Sequence, residues 1–322
     1  MNDRSGRVLP GRTVSKSLET EMTAAFIRTA ASLILLGAIA MPIVASAQGA
    51  DAERVKRGEY IFRAADCYSC HTDTKNNGQP LAGGAAIKTP FGTFYPPNIT
   101  PDTEFGIGLW SDQDFLRALR DGIAPDGSHY YPAFPYTSFT GMTNQDILDL
   151  KAYIFTLPAV SAEAPQHELP FYLRWRSVIG AWKMLNFKPG PMTPDPAKDA
   201  VWNRGRYLVE AIAHCGECHS PRTATGAIDR AKEMSGNPSG PDGKGIPNIT
   251  PDPTGIGDWS ESDLAFALKL GVMPDGDTFG SFMADVVEQG TAYLTDDDRT
   301  AIARYIRSLP PVRTEKEDKP KD

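Results

Sequence analysis

All four cysteines of this chain fall in two copies of one pattern, Cys67-Tyr68-Ser69-Cys70-His71 and Cys215-Gly216-Glu217-Cys218-His219. A C-x-x-C-H on one short turn presents two sulfurs to one edge of a porphyrin and an imidazole beneath its centre, the pattern of covalent haem c attachment. It predicts two covalently bound haem c groups, with thioethers from Cys67, Cys70, Cys215 and Cys218 and iron ligation by His71 and His219. One zinc on four thiolates would leave both histidines unexplained. Thioredoxin-type disulfides would need a βαβ pattern that neither motif has beside it.

The motifs are the clearest part of a longer internal repeat. Arg57-Gly58-Glu59-Tyr60 leads into the first and Arg204-Gly205-Arg206-Tyr207 into the second. Asn98-Ile99-Thr100-Pro101-Asp102 matches Asn248-Ile249-Thr250-Pro251-Asp252 letter for letter, followed by Gly-Ile-Gly and Trp-Ser in both copies. Pro125-Asp126-Gly127 answers Pro274-Asp275-Gly276 at an offset of 149, and the offset drifts by a few residues at either end. The expected organisation is a domain over 48–159, a linker over 160–199, a second domain over 200–312 and a charged, disordered tail over 313–322.

Each copy reads as helices around loops, with no convincing strand-period alternation. Ser111 and Ser260 stand as N-caps before acidic first turns, and Gly122 and Gly271 as stops. A last helix starts at Thr143 or Thr295 and ends at Leu-Pro. In the linker, Trp175, Ile179, Trp182 and Leu185 or Asn186 share a helical face. That face predicts a helix packed across the interdomain groove, with a partner or membrane surface as the alternative.

Residues 1–47 read as an upstream extension and a signal peptide. Met22 is the natural start, Arg28 supplies the positive region, an apolar run follows from Ala30 to Ala45, and Ala45-Ser46-Ala47 is a cleavage site. A retained membrane anchor is the alternative, but the run is short for a span. Removing these residues takes away five Lys/Arg and three Asp/Glu, moving the formal charge from −7 to −9. Such an acidic surface argues against nucleic acid or anionic lipid as partner.

With these motifs in view, together with Tyr131-Pro132-Ala133 and Pro135-Tyr136 and the Ala152-Tyr153 pair, the chain resembles the class I cytochrome c superfamily. More narrowly it is similar to the cytochrome c subunits of periplasmic alcohol and gluconate dehydrogenases, although it carries two haem motifs where the alcohol dehydrogenase subunits have three. The resemblance implies an all-α fold of two tandem cytochrome c domains, each wrapped round its haem. It also implies a methionine as sixth iron ligand, from the loop before the last helix. In the second copy the candidate is Met283, with Met273 as competitor. In the first copy Phe134 stands where related subunits have methionine. Met142 is the expected ligand there, with His129 or an open iron as alternatives. His167 is expected to be solvated, His214 to pack beside a haem edge, and Trp110, Trp259, Tyr153 and Tyr305 to be core aromatics.

No catalytic triad, phosphate loop or carboxylate pair stands out, so no catalytic residue is assigned. The expectation is a periplasmic electron carrier, with a dehydrogenase as donor and a small cytochrome or terminal oxidase as acceptor. Membrane contact is expected to be peripheral at most. The rival is a dihaem enzyme of peroxidase or thiosulfate-oxidising type, in which one iron is open or labile; Phe134 is the residue that favours it.

Overall fold

The computed structural model describes residue 49 and residues 51–240 and 243–314. The expected extension and signal segment lies almost wholly outside the described residues, as does the tail beyond 314. From Arg54 onward the chain forms one compact unit, so both repeats share it.

Each repeat is framed by its first and last long helices. In the first, α1 (helical over 54–64 within this unit) lies against α5 (Asn144–Ile154); in the second, α7 (Ala200–Tyr207) lies against α11 (Asp296–Arg307). The crossings are closed by Gly58 and Gly205. A Cβ on Gly58 would sit 1.9 Å from the Asp149 carbonyl oxygen, and one on Gly205 1.9 Å from that of Ala301. Any side chain there would push the helices apart. Tyr153 and Tyr305 lie beside the same glycines, which gives the Arg-Gly-x-Tyr and Tyr-Ile matches their physical meaning. Arg57 adds a 2.7 Å bond to the buried Asp149 carboxylate.

Between the frames run α2 (Cys67–His71), α3 (Asp112–Asp121) and α4 (Tyr136–Phe139) in the first repeat, and α8 (Cys215–His219), α9 (Glu261–Leu270) and α10 (Phe282–Gln289) in the second. The Ser111 and Ser260 caps are both complete capping boxes, with Asp114 and Asp263 reaching back to the cap backbone. Gly122 and Gly271 end these helices at φ 60° and 70°, in the left-handed region that favours glycine. One short hairpin, β1 (Ile87–Thr89) with β2 (Gly92–Phe94), was not expected. Strands of three residues are too short to show alternation, and the pairing is extended by a bridge from Thr93 to Glu168 in the linker.

The drift of the repeat offset has local causes. Tyr60 and Tyr207 are 147 apart, but Cys67 and Cys215 are 148 apart. The extra residue is absorbed by a π turn over Leu208–Ile212, closed by Ala213 N–H on the Leu208 carbonyl at 2.7 Å. Later, the second repeat gains three residues. There α10 has eight residues where α4 has four, and a 3₁₀ turn over Thr291–Tyr293 follows it.

Most buried apolar side chains of both repeats form one continuous cluster, from Ile61, Phe62, Leu119 and Ile147 to Leu208, Ile212, Leu268 and Ile302. The linker helix α6 (Arg176–Asn186) touches both repeats. Its Ile179 packs with Phe94, Tyr131 and Leu169, while Trp182 donates its indole N–H to the Thr225 carbonyl at 2.9 Å. The expected face is only partly buried, since Trp175 and Leu185 remain 65% and 85% exposed. The helix is held instead by Lys183, which donates to the Asp121 and Gly122 carbonyls at the end of α3. A basic side chain at a helix C-terminus satisfies carbonyls the helix cannot.

Candidate functional site

The two C-x-x-C-H motifs adopt the same local form. Each is a five-residue helix entered from a left-handed residue, Asp66 at φ 49° and His214 at φ 42°. His71 Nδ1 lies 2.7 Å from the Pro97 carbonyl and His219 Nδ1 2.8 Å from that of Pro247. A carbonyl can only accept, so Nδ1 carries the proton and Nε2 keeps a free lone pair, as an iron ligand requires. Burial holds both imidazoles below the usual histidine range, that is, neutral.

The prolines that supply these carbonyls were missed at the level of sequence, although each stands directly before the matching Asn-Ile-Thr. The motif itself is a clip. Asn98 is buried, accepts from Thr100 N–H at 2.9 Å and from its hydroxyl at 2.8 Å, and donates to the Val160 and Ala162 carbonyls. Asn248 accepts from Thr250 in the same way and donates to the Val312 carbonyl at 2.7 Å. Each motif therefore ties the histidine's acceptor to the chain leaving the last helix. At Thr314, within the expected tail, the backbone N–H still bonds Thr254 Oγ1.

None of the cysteines forms a disulfide, and among the described residues no group of three or more His, Cys, Asp or Glu is placed to hold a metal ion. Cys70 and Cys218 are exposed and Cys67 and Cys215 half-buried, yet the protein packed round all four strips away enough water to push the thiols up. Cys70 rises to about 12, through burial first and then Asp66 and Cys218. Cys215 rises to about 12 and Cys218 to about 11, burial again leading. Burial therefore disfavours the free thiolate that a zinc site or disulfide exchange would need. That Cys218 bears on Cys70, and Asp66 on Cys218, also places the two motifs beside each other.

Around the motifs the repeats interlock. Glu217, between the cysteines of α8, accepts from Thr137 and Ser138 of the first repeat and pairs with Arg222 at 2.8 Å. Burial alone would raise this carboxyl, but Arg222 and the hydrogen bonds outweigh it and hold it below the usual range. His214 sits as expected in a packed position, 3.3 Å from the Ala65 carbonyl and ring to ring with Phe139 at 5.3 Å. His167 is not solvated as expected. Its Nδ1 accepts from Tyr95 N–H at 3.2 Å, and its ring packs on Phe94 and Tyr131. Apolar neighbours brought in by the hairpin, remote in sequence, account for the difference.

The candidate sixth ligands are placed as follows. Met283 is the second residue of α10, half-buried against the main core. Met273 lies in the Pro-Asp-Gly turn, bonded backbone to backbone with Asp277. Met142 is fully buried immediately before α5, the place that Leu294 takes before α11. His129 faces the linker helix, with Nδ1 3.2 Å from Lys183 Nζ. Trp110 and Trp259 border the core, and Tyr153 and Tyr305 lie at the helix crossings.

A paired-cysteine turn followed by a neutral imidazole with its far nitrogen free is the donor set of a c-type haem protein, and the chain has it twice. The family model described as cytochrome c matches residues 55–158 and 203–310, and the chain belongs to the cytochrome c family. It is 44% identical over 265 residues to a diheme cytochrome c-type protein of Cereibacter sphaeroides, covering 80% of this chain and 86% of that one. It is 41% identical over 274 residues to the fructose dehydrogenase cytochrome subunit of Gluconobacter japonicus, covering 84% and 56%. It is 42% identical over 289 residues to the gluconate 2-dehydrogenase cytochrome c subunit of Pantoea cypripedii, covering 86% and 64%. The chain thus spans less than two thirds of the two dehydrogenase subunits. It is a dihaem electron-transfer cytochrome, all-α, with two cytochrome c domains and two covalently bound haem c groups.

Proposed function

We propose that this cytochrome is exported to the periplasm, accepts electrons from a partner dehydrogenase and releases them to a small cytochrome or a terminal oxidase. Cys67 and Cys70 hold the first haem and Cys215 and Cys218 the second; His71 and His219 bind the irons, and Met283 completes the second. Each haem supplies one reversible Fe(II)/Fe(III) couple. The protein's part is to hold Nε2 of each histidine in a fixed direction through the Pro97 and Pro247 carbonyls, and to keep both sites surrounded by apolar side chains.

The observation that carries this reading is the adjacency of the two motifs: the ring of His214, the residue directly before Cys215, lies 3.3 Å from the carbonyl of Ala65, two residues before Cys67. Two attachment sites brought together across one shared core give a short path between donor and acceptor sides. The dehydrogenase donor is supported by the names of relatives that match most of this chain. No helix among the described residues is long and apolar enough to cross a membrane.

The test is to purify the haem-loaded protein from a periplasmic extract and mix it with any dehydrogenase encoded beside it. Reduction of both haems on addition of that enzyme's substrate, in the absence of mediator, is the expected result. Failure of every neighbouring dehydrogenase to reduce it, with dithionite reducing it fully, would overturn the proposed donor.

A further inference from the structure

The two repeats differ where an iron's sixth ligand is expected, and the difference can be followed residue by residue. Ile123 bridges His129 as Val272 bridges Thr278. Tyr130 N–H bonds the Gly122 carbonyl at 2.9 Å as Phe279 N–H bonds that of Gly271 at 2.8 Å. The 149-residue register therefore holds in the backbone up to Tyr130 and Phe279. Four residues on, it pairs Phe134 with Met283, and both lie half-buried against the main core.

Beyond the three-residue insertion the register resumes at 152, with Thr143 and Thr295 both capping the last helix. In that register Met142 pairs with Leu294. Their N–H groups bond the carbonyls three residues back, Phe139 at 3.0 Å and Thr291 at 3.2 Å. Their own carbonyls are each held by a guanidinium, Arg120 and Arg299. They are 0% and 3% exposed in the same cluster. Leucine cannot bind iron and fills the place equally well, so core packing accounts for Met142 in full.

The other local donor is turned elsewhere. The His129 ring abuts the linker helix, where a Cβ on Gly180 would come within 2.9 Å of its Nε2. Its carbonyl accepts from Arg176 at 3.1 Å, while the next residue, Tyr130, goes to the core. Met142 is the only methionine between residues 51 and 159. What stands at the Met283 position is an aromatic cluster, Phe134 against Tyr130, Phe139 and Tyr136 with ring centroids 5.4, 5.8 and 6.3 Å away.

We infer that in this chain no side chain completes the first haem iron, and that this position binds small neutral diatomic ligands of ferrous haem, carbon monoxide and nitric oxide, beside Phe134. The inference rests on the reading that Met283 completes the second iron, because the register is measured from it. The lining is of aromatic rings, two phenyls and two phenols, and a neutral ligand enters it without the cost of burying a charge.

The test is carbon monoxide titration of the dithionite-reduced, fully haem-loaded protein followed by absorbance, with electron paramagnetic resonance of the oxidised form. One carbon monoxide per protein and one high-spin ferric haem are expected in the wild type and in Met142→Leu, which copies the second repeat. Phe134→Met should lose both signals and gain a methionine–iron charge-transfer band. No binding by the wild type but one equivalent in Met142→Leu would make Met142 the ligand and overturn the inference. No binding in either would overturn it in favour of another donor. Two equivalents in the wild type, falling to one in Phe134→Met, would support the first site and overturn the Met283 assignment instead.

Discussion

Tyr60 of the first repeat donates its phenol hydrogen to the Asp298 carboxylate of the second across 2.6 Å, and the same oxygen accepts from Thr295 N–H at 3.1 Å. The arrangement is returned in mirror order. Tyr207 of the second repeat donates to Asp146 of the first and accepts from Thr143 N–H at 2.9 Å. Each repeat thus lends a tyrosine from its first helix to the capped start of the other's last helix.

Removing one of these hydroxyls should loosen the contact between repeats without touching either core. A hydrogen bond to a charged group contributes roughly 1.5–3 kcal/mol. Tyr60→Phe and Tyr207→Phe should each lower stability by about that amount, and the double variant by about the sum, the sites being separate. Urea denaturation of the haem-loaded protein measures it; a pair of unchanged midpoints would deny the contacts any weight.

The Asn98 clip should matter more than its size suggests. Its amide serves two carbonyls and two Thr100 donors in a buried setting, and alanine would leave them unpaired at about 1–3 kcal/mol each before relaxation. Asn98→Ala is expected to destabilise by about 3 kcal/mol and to shift the midpoint potential of the first haem alone, because the Pro97 acceptor of His71 is the adjacent residue. A potentiometric titration in which both haems move together would contradict this local role.

Lys183 gives a pH signature of defined sign. Burial pushes its ammonium down to about 8 from an ordinary value near 10.5. Between these limits the unfolded chain holds the proton and the folded chain has lost it, so stability rises with pH through that window. Below about pH 8 both states are protonated and the cost of burying the charge is present in full. Relative to Lys183→Met, which keeps an unbranched apolar stem, the wild type should gain stability from pH 8 to 10.5. Urea midpoints at several pH values, taken as the difference between the two proteins, test it.

Glu217 predicts the opposite slope at the acid end. Its carboxyl is held below the ordinary range, so its stabilising effect is full above that range and lost as pH falls through the folded-state value. Glu217→Gln should be less stable at neutral pH by about 3 kcal/mol, the low end of what breaking a buried ion pair costs. It should also be less sensitive to acid, and thermal melts in acidic and neutral buffer would show the two curves converging.

Most of the frame was legible because it rests on residue types that do one thing. The glycines at 58 and 205, the serine caps with their aspartates and the duplicated Asn-Ile-Thr are short-range or steric signals that survive in sequence. The haem motifs were legible for the same reason. What was hidden depends on partners far along the chain. The Pro97 and Pro247 acceptors are backbone atoms with no letter of their own, and His167 became an aromatic-packed residue only when the hairpin met the linker. Lys183 drew no assignment, because nothing local says that α3 ends beneath it.

The reciprocal tyrosines also define a symmetry. When residue i of one unit meets residue j of the other and j of the first meets i of the second, the contact is that of a two-fold symmetric homodimer. Within one chain the linker makes such a pairing permanent by raising the local concentration of one half near the other. It also lets the halves differ. Phe134 stands in the first copy at the register of Met283 in the second, a difference that no symmetric dimer of identical chains can express.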